Sequence, residues 1–376
     1  MPVTIKEVFT GRGLKNFIKF PEKLYRNHPN WVNPLREDEY NTLHKKKNPA
    51  FEFCSARYFI AYKEGKAVGR VAAIVNRNAN RDWNENYMRF GWLDFIDDIE
   101  VLRALMKKVE ELAREQGLEA INGPFGFTDM DREGLLVEGF ENKGSFTTLY
   151  NFPYYGEYLE QLGYLPDADW RQREYDVPEA VPEKLKQFSR IVKEKYGVRV
   201  LEKVSRKRLR KYATGMFRTL NRSFRPLYGF TPLSDKQVEM YINQFLPLIN
   251  FDLICLVIDK EENVVGFAVT MPSLSDAVKR AKGRLFPFGI FHLLFALKKY
   301  EVIDMLMIGI DPAYQNKGIN ALIFDHLNSN FIKLGVKRVI ANPQLDSNFA
   351  VKKIFEYYPG RPYMTRRCYL KKLNQV

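Results

Sequence analysis

The chain has 376 residues, 45% hydrophobic and 28% charged, the composition of a soluble globular protein too long for one ordinary core. Three cysteines without metal-ligand spacing exclude a disulfide framework and point to a reducing compartment. A net charge of +14 suits an anionic cofactor, membrane surface or nucleic acid, while no apolar run approaches the ~20 residues needed to cross a bilayer.

Met1-Pro2-Val3-Thr4 opens no apolar signal region, so a cytoplasmic protein is expected. Tyr58-Phe59-Ile60-Ala61-Tyr62 then runs through a polar turn into Ala67-Val68-Gly69, which predicts a strand, a turn and a second strand. Phe90 to Phe95 predicts a further strand. Asp97 and Asp98 cap a helix whose buried stripe is Leu102, Leu105, Met106, Val109 and Leu112. That helix is expected to end at Gly117, before a buried strand over Ala120-Ile121-Asn122. Beyond it Gly, Pro, acids and aromatics crowd together, where open α/β folds place ligands. Asp129, Asp131, Glu133 and Glu138 are candidates there to hold an amine or take its proton. Two carboxylates at a helix start repel a diphosphate, so this half is not expected to bind one.

The basic run from Lys203 to Lys211 reads as a solvated helix face. After it the pattern repeats. Ile254 to Ile258, a polar turn and Val264-Val265-Gly266 match the first hairpin, and Lys333-Leu334-Gly335 followed by Arg338-Val339-Ile340 matches the helix end and strand. The second copy is longer: 69 positions separate Gly266 from Gly335, against 48 from Gly69 to Gly117. Much of the excess is residues 279–299, a short apolar run flanked by cations; such a run is most often a buried helix with a solvated basic end, and it also suits peripheral contact with a membrane surface or an acyl-chain groove.

The second copy also carries a phosphate-binding arrangement. Met305 to Ile310 predicts a strand covered on both faces, Asp311-Pro312 breaks it, and Ile319, Leu322, Ile323, Leu327, Phe331 and Leu334 recur at helical spacing. A strand, a loop bearing Lys317 and Gly318, and a helix start converge free amide hydrogens on one point. Asp346 to Tyr358 predicts a later helix.

The stretch from Ile310 to Ile319 resembles motif A of the GCN5-related N-acetyltransferase superfamily, Q/R-x-x-G-x-G/A. Gln315 and Gly318 match it, and Asn320 stands where Gly or Ala is usual. The resemblance implies an α/β (α+β) fold of two tandem domains, each a central mixed sheet flanked by helices. Residues 1–178 would form a degenerate acceptor-side domain and 179–376 a domain that binds acyl-coenzyme A. It also implies that Ile308, Ile310, Gln315, Asn316, Lys317, Gly318, Ile319 and Asn320 hold coenzyme A, with Asn348 beside its pantetheine arm. Tyr358 or Tyr357 would be the acid for the departing thiolate, and Asp304, Glu133 or Glu138 the base. The opening from Pro21 to Phe51, the Gly134 to Phe140 run and Arg366 to Leu370 resemble a bacterial group of paired acetyltransferase-like domains, some similar to bacterial ceramide synthases. The expected reaction is N-acylation of a small-molecule or lipid amine, entering between the domains, from acyl-coenzyme A. No metal is expected, nor nucleic acid as a partner. The alternatives are an aminoacyl-tRNA-dependent transferase, which the Gln315 to Gly318 loop counts against, and a non-catalytic regulator that binds coenzyme A or nucleic acid.

Overall fold

The computed structural model describes residues 2–202, 205–348 and 360–373. Its contacts divide the chain into two compact units, one of Met1–Arg171, Leu274–Leu293 and Met364–Val376, the other of Gln172–Ser273 and Leu294–Tyr363.

In the first unit β1 (Thr4–Glu7), β2 (Cys54–Lys63), β3 (Lys66–Asn76) and β4 (Tyr87–Phe95) pair antiparallel in turn, and β5 (Ala120–Gly123) joins β4 parallel. Glu64 and Gly65, both with positive φ, make the tight turn between β2 and β3. Helices α1 (Gly11–Leu24), α2 (Arg36–Leu43), α3 (Arg77–Trp83), α4 (Ile99–Glu115) and α5 (Tyr154–Gln161) belong to this unit, as does the short strand β6 (Leu135–Glu138). Asp98 caps α4 by accepting from the Glu100 N–H at 3.0 Å, and the predicted stripe on α4 is buried against the sheet.

The second unit repeats this plan. β7 (Leu165–Asp176) enters it at Gln172, followed by α6 (Glu183–Tyr196), β8 (Arg199–Val200), α7 (Arg206–Phe224) and α8 (Asp235–Phe245). β9 (Ile254–Ile258) and β10 (Val264–Pro272) form the second hairpin. Next in the chain, α9 (Ser275–Arg280) and most of α10 (Gly289–Ala296) belong to the first unit; β11 (Val302–Ile310), α11 (Ile319–Leu334), β12 (Arg338–Ala341) and β13 (Gln344–Leu345) return to the second, and β14 (Arg361–Lys372) passes into the first at Met364. β8 to β11 pair antiparallel in turn and β12 joins β11 parallel, the same sequence of pairings as β1 to β5.

The two glycines that open the matched strands do the same thing. A Cβ on Gly69 would come 2.9 Å from Val101 and Leu105 of α4, and one on Gly266 2.7 Å from Ile319 of α11. Each absent side chain lets the crossover helix sit directly on the hairpin. Gly117 and Gly335, which stop these helices, both take the left-handed conformation. Each set of five strands is then closed by a strand from the other half of the sequence. The C-terminal β14 pairs with β5, and β7 pairs with β12. The 178/179 division expected from the repeat falls just after β7.

The first unit holds a buried polar network. Asp94 takes the Arg70 Nε at 2.8 Å and the Tyr25 hydroxyl at 3.0 Å, and Arg70 also donates to the Phe17 carbonyl. Burial outweighs these partners and pushes the Asp94 carboxyl above its usual range. Arg70→Met leaves that carboxylate buried without its cation, and we expect a loss of about 3–5 kcal/mol. Urea unfolding at neutral pH measures it; a midpoint equal to wild type would remove the network from the account of stability.

Candidate active site

β11 pairs with β12 only from Val302↔Arg338 to Met305↔Ala341, where the Asn342 N–H reaches the Met305 carbonyl at 2.9 Å and its side-chain amide the Leu306 carbonyl at 3.1 Å. Leu306 is then bulged out opposite Val269 and Thr270, and Met307 to Ile310 continue against β10 but not β12 among the described residues. One backbone edge of β11, carrying Ile308 and Ile310, is thereby left out of a ladder.

The strand ends in an ordered turn. The Asp311 side chain accepts from the Ala313 N–H at 3.0 Å and pairs with Arg222 of α7 at 2.8 Å, while its carbonyl takes the N–H groups of Tyr314 and Gln315. Gln315 folds back to donate to the Ile310 carbonyl. Asn316 and Gly318 both have positive φ. Gly318 is the N-cap of α11 and, having no side chain, leaves the first-turn N–H groups uncapped. A Cβ there would meet Phe188 at 2.8 Å and Val192 at 2.9 Å, so only glycine fits this turn without strain. The Lys317 ammonium lies 5.0 Å from the Tyr314 ring centre and 5.5 Å from that of Tyr196, a cation held beside the helix start. Uncapped amides, the positive end of the helix dipole and a lysine together fit a diphosphate. Asn320 in the first turn leaves this geometry intact.

Asp304 was expected just before the strand; it is the third residue of β11, because Val302 and Ile303 already pair with β12. It is 3% exposed, and its Oδ2 has no hydrogen-bond partner among the described residues. Burial pushes its carboxyl up to about 7, against a hydrogen bond with Ser273 that lowers it. A buried carboxyl poised near neutrality is what a general base requires. The first unit differs at the matched position. Ala120 and Arg338, each three residues after the glycine that ends its helix, pair with Tyr87 and Val302, so Arg89 occupies the place of Asp304. A guanidinium cannot act as a base at neutral pH. Asp98 also caps α4, so the start of that helix carries a carboxylate where α11 has Gly318.

The acidic cluster beyond β5 is real but uneven. Asp131 accepts from the N–H groups of Phe127 and Thr128, and burial lifts its carboxyl to about 6. Burial, then the neighbouring Asp129, pushes Glu133 well above the usual carboxylate range, with Arg89 opposing. Glu138 is exposed and accepts from the Thr365 hydroxyl at 2.6 Å. Glu133 and Glu138 both lie in the first unit and Asp304 in the second. Asn348 is described, its N–H bonded to the Leu345 carbonyl, whereas Tyr357 and Tyr358 lie outside the described residues. Sequence reasoning missed Asp311, Arg222 and Ser273; the Asp-Pro step at 311 was a legible turn signal, the other two contacts were not. Among the described residues no group of three His, Cys, Asp or Glu side chains is placed to hold a metal ion, and no helix is long and apolar enough to cross a membrane.

Comparison with solved structures identifies the architecture. The chain superposes on a tandem GNAT protein from the clavulanic acid biosynthesis pathway with a TM-score of 0.56 at 11% identity, covering 100% of this chain and 99% of that one. A GCN5-related N-acetyltransferase from Sphaerobacter thermophilus gives 0.50 at 10% identity, over 99% and 96% of the two chains. No family model matches. With the repeated sheet and the loop before α11, these similarities give the chain the fold of tandem-domain GCN5-related N-acetyltransferases. In sequence the chain is similar to two proteins along nearly the whole of their lengths. Protein YghO of Escherichia coli is 27% identical over 369 residues, 96% of this chain and 93% of that protein. The bacterial ceramide synthase of Caulobacter vibrioides is 27% identical over 383 residues, 99% and 98% of the two.

Proposed function

We propose that this protein transfers an acyl group from a coenzyme A thioester to a primary amine, with the thioester held by the second unit. The observation that carries the reading is a single strand, β11, which joins a buried, half-satisfied carboxylate at Asp304 to an unpaired edge and then to the uncapped helix start at Gly318. The diphosphate would take the amides of Gly318, Ile319 and Asn320 with Lys317 as counter-charge, Gln315 and Asn316 shaping the turn. The pantetheine arm would lie along Ile308 and Ile310, with Asn348 beside it. Asp304 would take the proton from the ammonium group, freeing the nitrogen to attack the thioester carbonyl. The C–N bond forms as the C–S bond breaks, an N–H of the β11 edge stabilises the oxyanion, and the thiolate leaves to be protonated. Tyr357 or Tyr358 is our candidate for that acid.

For the acceptor we favour a long-chain amine of the sphingoid type, acylated to a ceramide. Similarity to a bacterial ceramide synthase along almost the whole chain supports this choice, and so does the basic, apolar segment 279–299. Incubating the protein with palmitoyl-coenzyme A and sphinganine, and following free thiol and N-acylsphinganine by mass spectrometry, tests it. Stoichiometric appearance of both is expected. Thioester binding without transfer to sphinganine, but with transfer to a short polar amine, would replace the acceptor and keep the reaction class.

A further inference from the structure

Helix α10 and the turn before it present an apolar stripe to solvent. Phe286 and Phe288 are each 73% exposed, Phe291 55%, Leu294 48% and Phe295 69%. Phe288, Phe291 and Phe295 follow helical spacing, so they form one line, while Gly289 and Leu293 on the opposite face are buried. Sequence pattern alone favoured a buried helix here; the structure turns its most hydrophobic face outward. Burying five large apolar side chains is favourable enough that a protein does not leave such a patch in water without use.

The charges around the patch select what covers it. No Asp or Glu occurs between Asp276 and Glu301, whereas Lys279, Arg280, Lys282, Arg284, Lys298 and Lys299 flank the stripe on both sides. Arg280, Lys282, Arg284, Lys298 and Lys299 are exposed, with no carboxylate paired to any of them among the described residues. A second copy of the chain docked face to face would bring these cations against their own counterparts. An acyl chain in a groove would be enclosed, which side chains this exposed do not provide. A bilayer with anionic head groups satisfies both halves, since the phenylalanines enter the acyl boundary and the cations meet phosphates. Eight helical residues rise about 12 Å, well short of the ~30 Å hydrocarbon core, so the helix lies in the interface plane. We infer that the segment from Arg280 to Lys299 is a membrane-docking element that seats the protein on an anionic lipid surface, with Phe286, Phe288, Phe291 and Phe295 inserted. The inference stands apart from the acyl-transfer reading, because it uses none of the residues assigned to that site.

Co-sedimentation of the full chain with vesicles tests it. The protein is expected to pellet with phosphatidylcholine vesicles containing about 30 mol% phosphatidylglycerol, to stay largely in solution with pure phosphatidylcholine, and to be released as salt shortens the Debye length. Phe288→Ser/Phe291→Ser/Phe295→Ser changes only exposed side chains, so its melting temperature is expected to match wild type while its bound fraction falls at least tenfold. Lys282→Glu/Arg284→Glu/Lys298→Glu/Lys299→Glu is expected to lose the preference for anionic vesicles. Undiminished binding by the serine variant would overturn the inference. So would wild-type protein that ignores anionic vesicles, or a dimer in sedimentation velocity that the serine variant abolishes, which would give the patch to a second copy.

Discussion

Asp304→Asn is expected to lower acyl transfer by about 100- to 10,000-fold while leaving thioester binding within a few-fold of wild type, as loss of a general base does. The wild-type kcat/KM should rise with pH as the carboxyl deprotonates, with an apparent pKa of about 7, and the residual rate of the variant should lack that rise. Stability gives a readout free of catalysis. The folded-state pKa lies above the unfolded value of 3.8, so the folded chain binds this proton more tightly. That contribution is complete below 3.8 and is lost as pH rises to about 7, at roughly 1.4 kcal/mol per pH unit. Asparagine does not titrate. The melting temperature of the variant should therefore gain on wild type from pH 4 to pH 7 and hold steady above. A variant with unaltered turnover, or a difference in melting temperature that does not change with pH, would remove Asp304 from the role of base.

The second large effect is expected at Gly318. Gly318→Val must adopt a φ of +81° with a β-branched side chain and push into Phe188 and Val192 of α6. Either response displaces the first turn of α11, and affinity for acyl-coenzyme A should fall at least a hundredfold. Because the same strain lowers stability, Lys317→Glu is the companion: its side chain rests on two tyrosine rings at the surface and can change charge without disturbing the backbone. It should retain the wild-type melting temperature and lose about tenfold in affinity, with the loss shrinking at high salt. Isothermal titration of both variants checks this. Wild-type affinity in Lys317→Glu, together with a folded Gly318→Val that still binds, would move the diphosphate away from this loop.

The parts of this structure written in short-range pattern could be read in advance. The two hairpins, the crossover helices and their stop glycines depend on side-chain periodicity and on positive φ, which a few adjacent residues determine. So does the turn from Asp311 to Gly318. What could not be read depends on pairing between distant segments. That β14 closes the sheet at β5 and β7 closes the sheet at β12 is a choice of partner, and nothing in the alternation of Arg361 to Lys372 or Leu165 to Asp176 names that partner. The equivalence of Arg89 and Asp304 likewise emerges only from strand register. The outward face of α10 was illegible for another reason: an apolar helix reads the same in sequence whether it meets a core or a lipid surface.

Equilibrium binding of palmitoyl-coenzyme A to the purified chain tests the central claim most directly. We predict one saturable site per chain, competed by free coenzyme A and weakened by Lys317→Glu. Failure of the wild-type protein to bind either palmitoyl- or acetyl-coenzyme A would contradict it, leaving the strand, loop and helix start of the second unit as inherited architecture without its ligand.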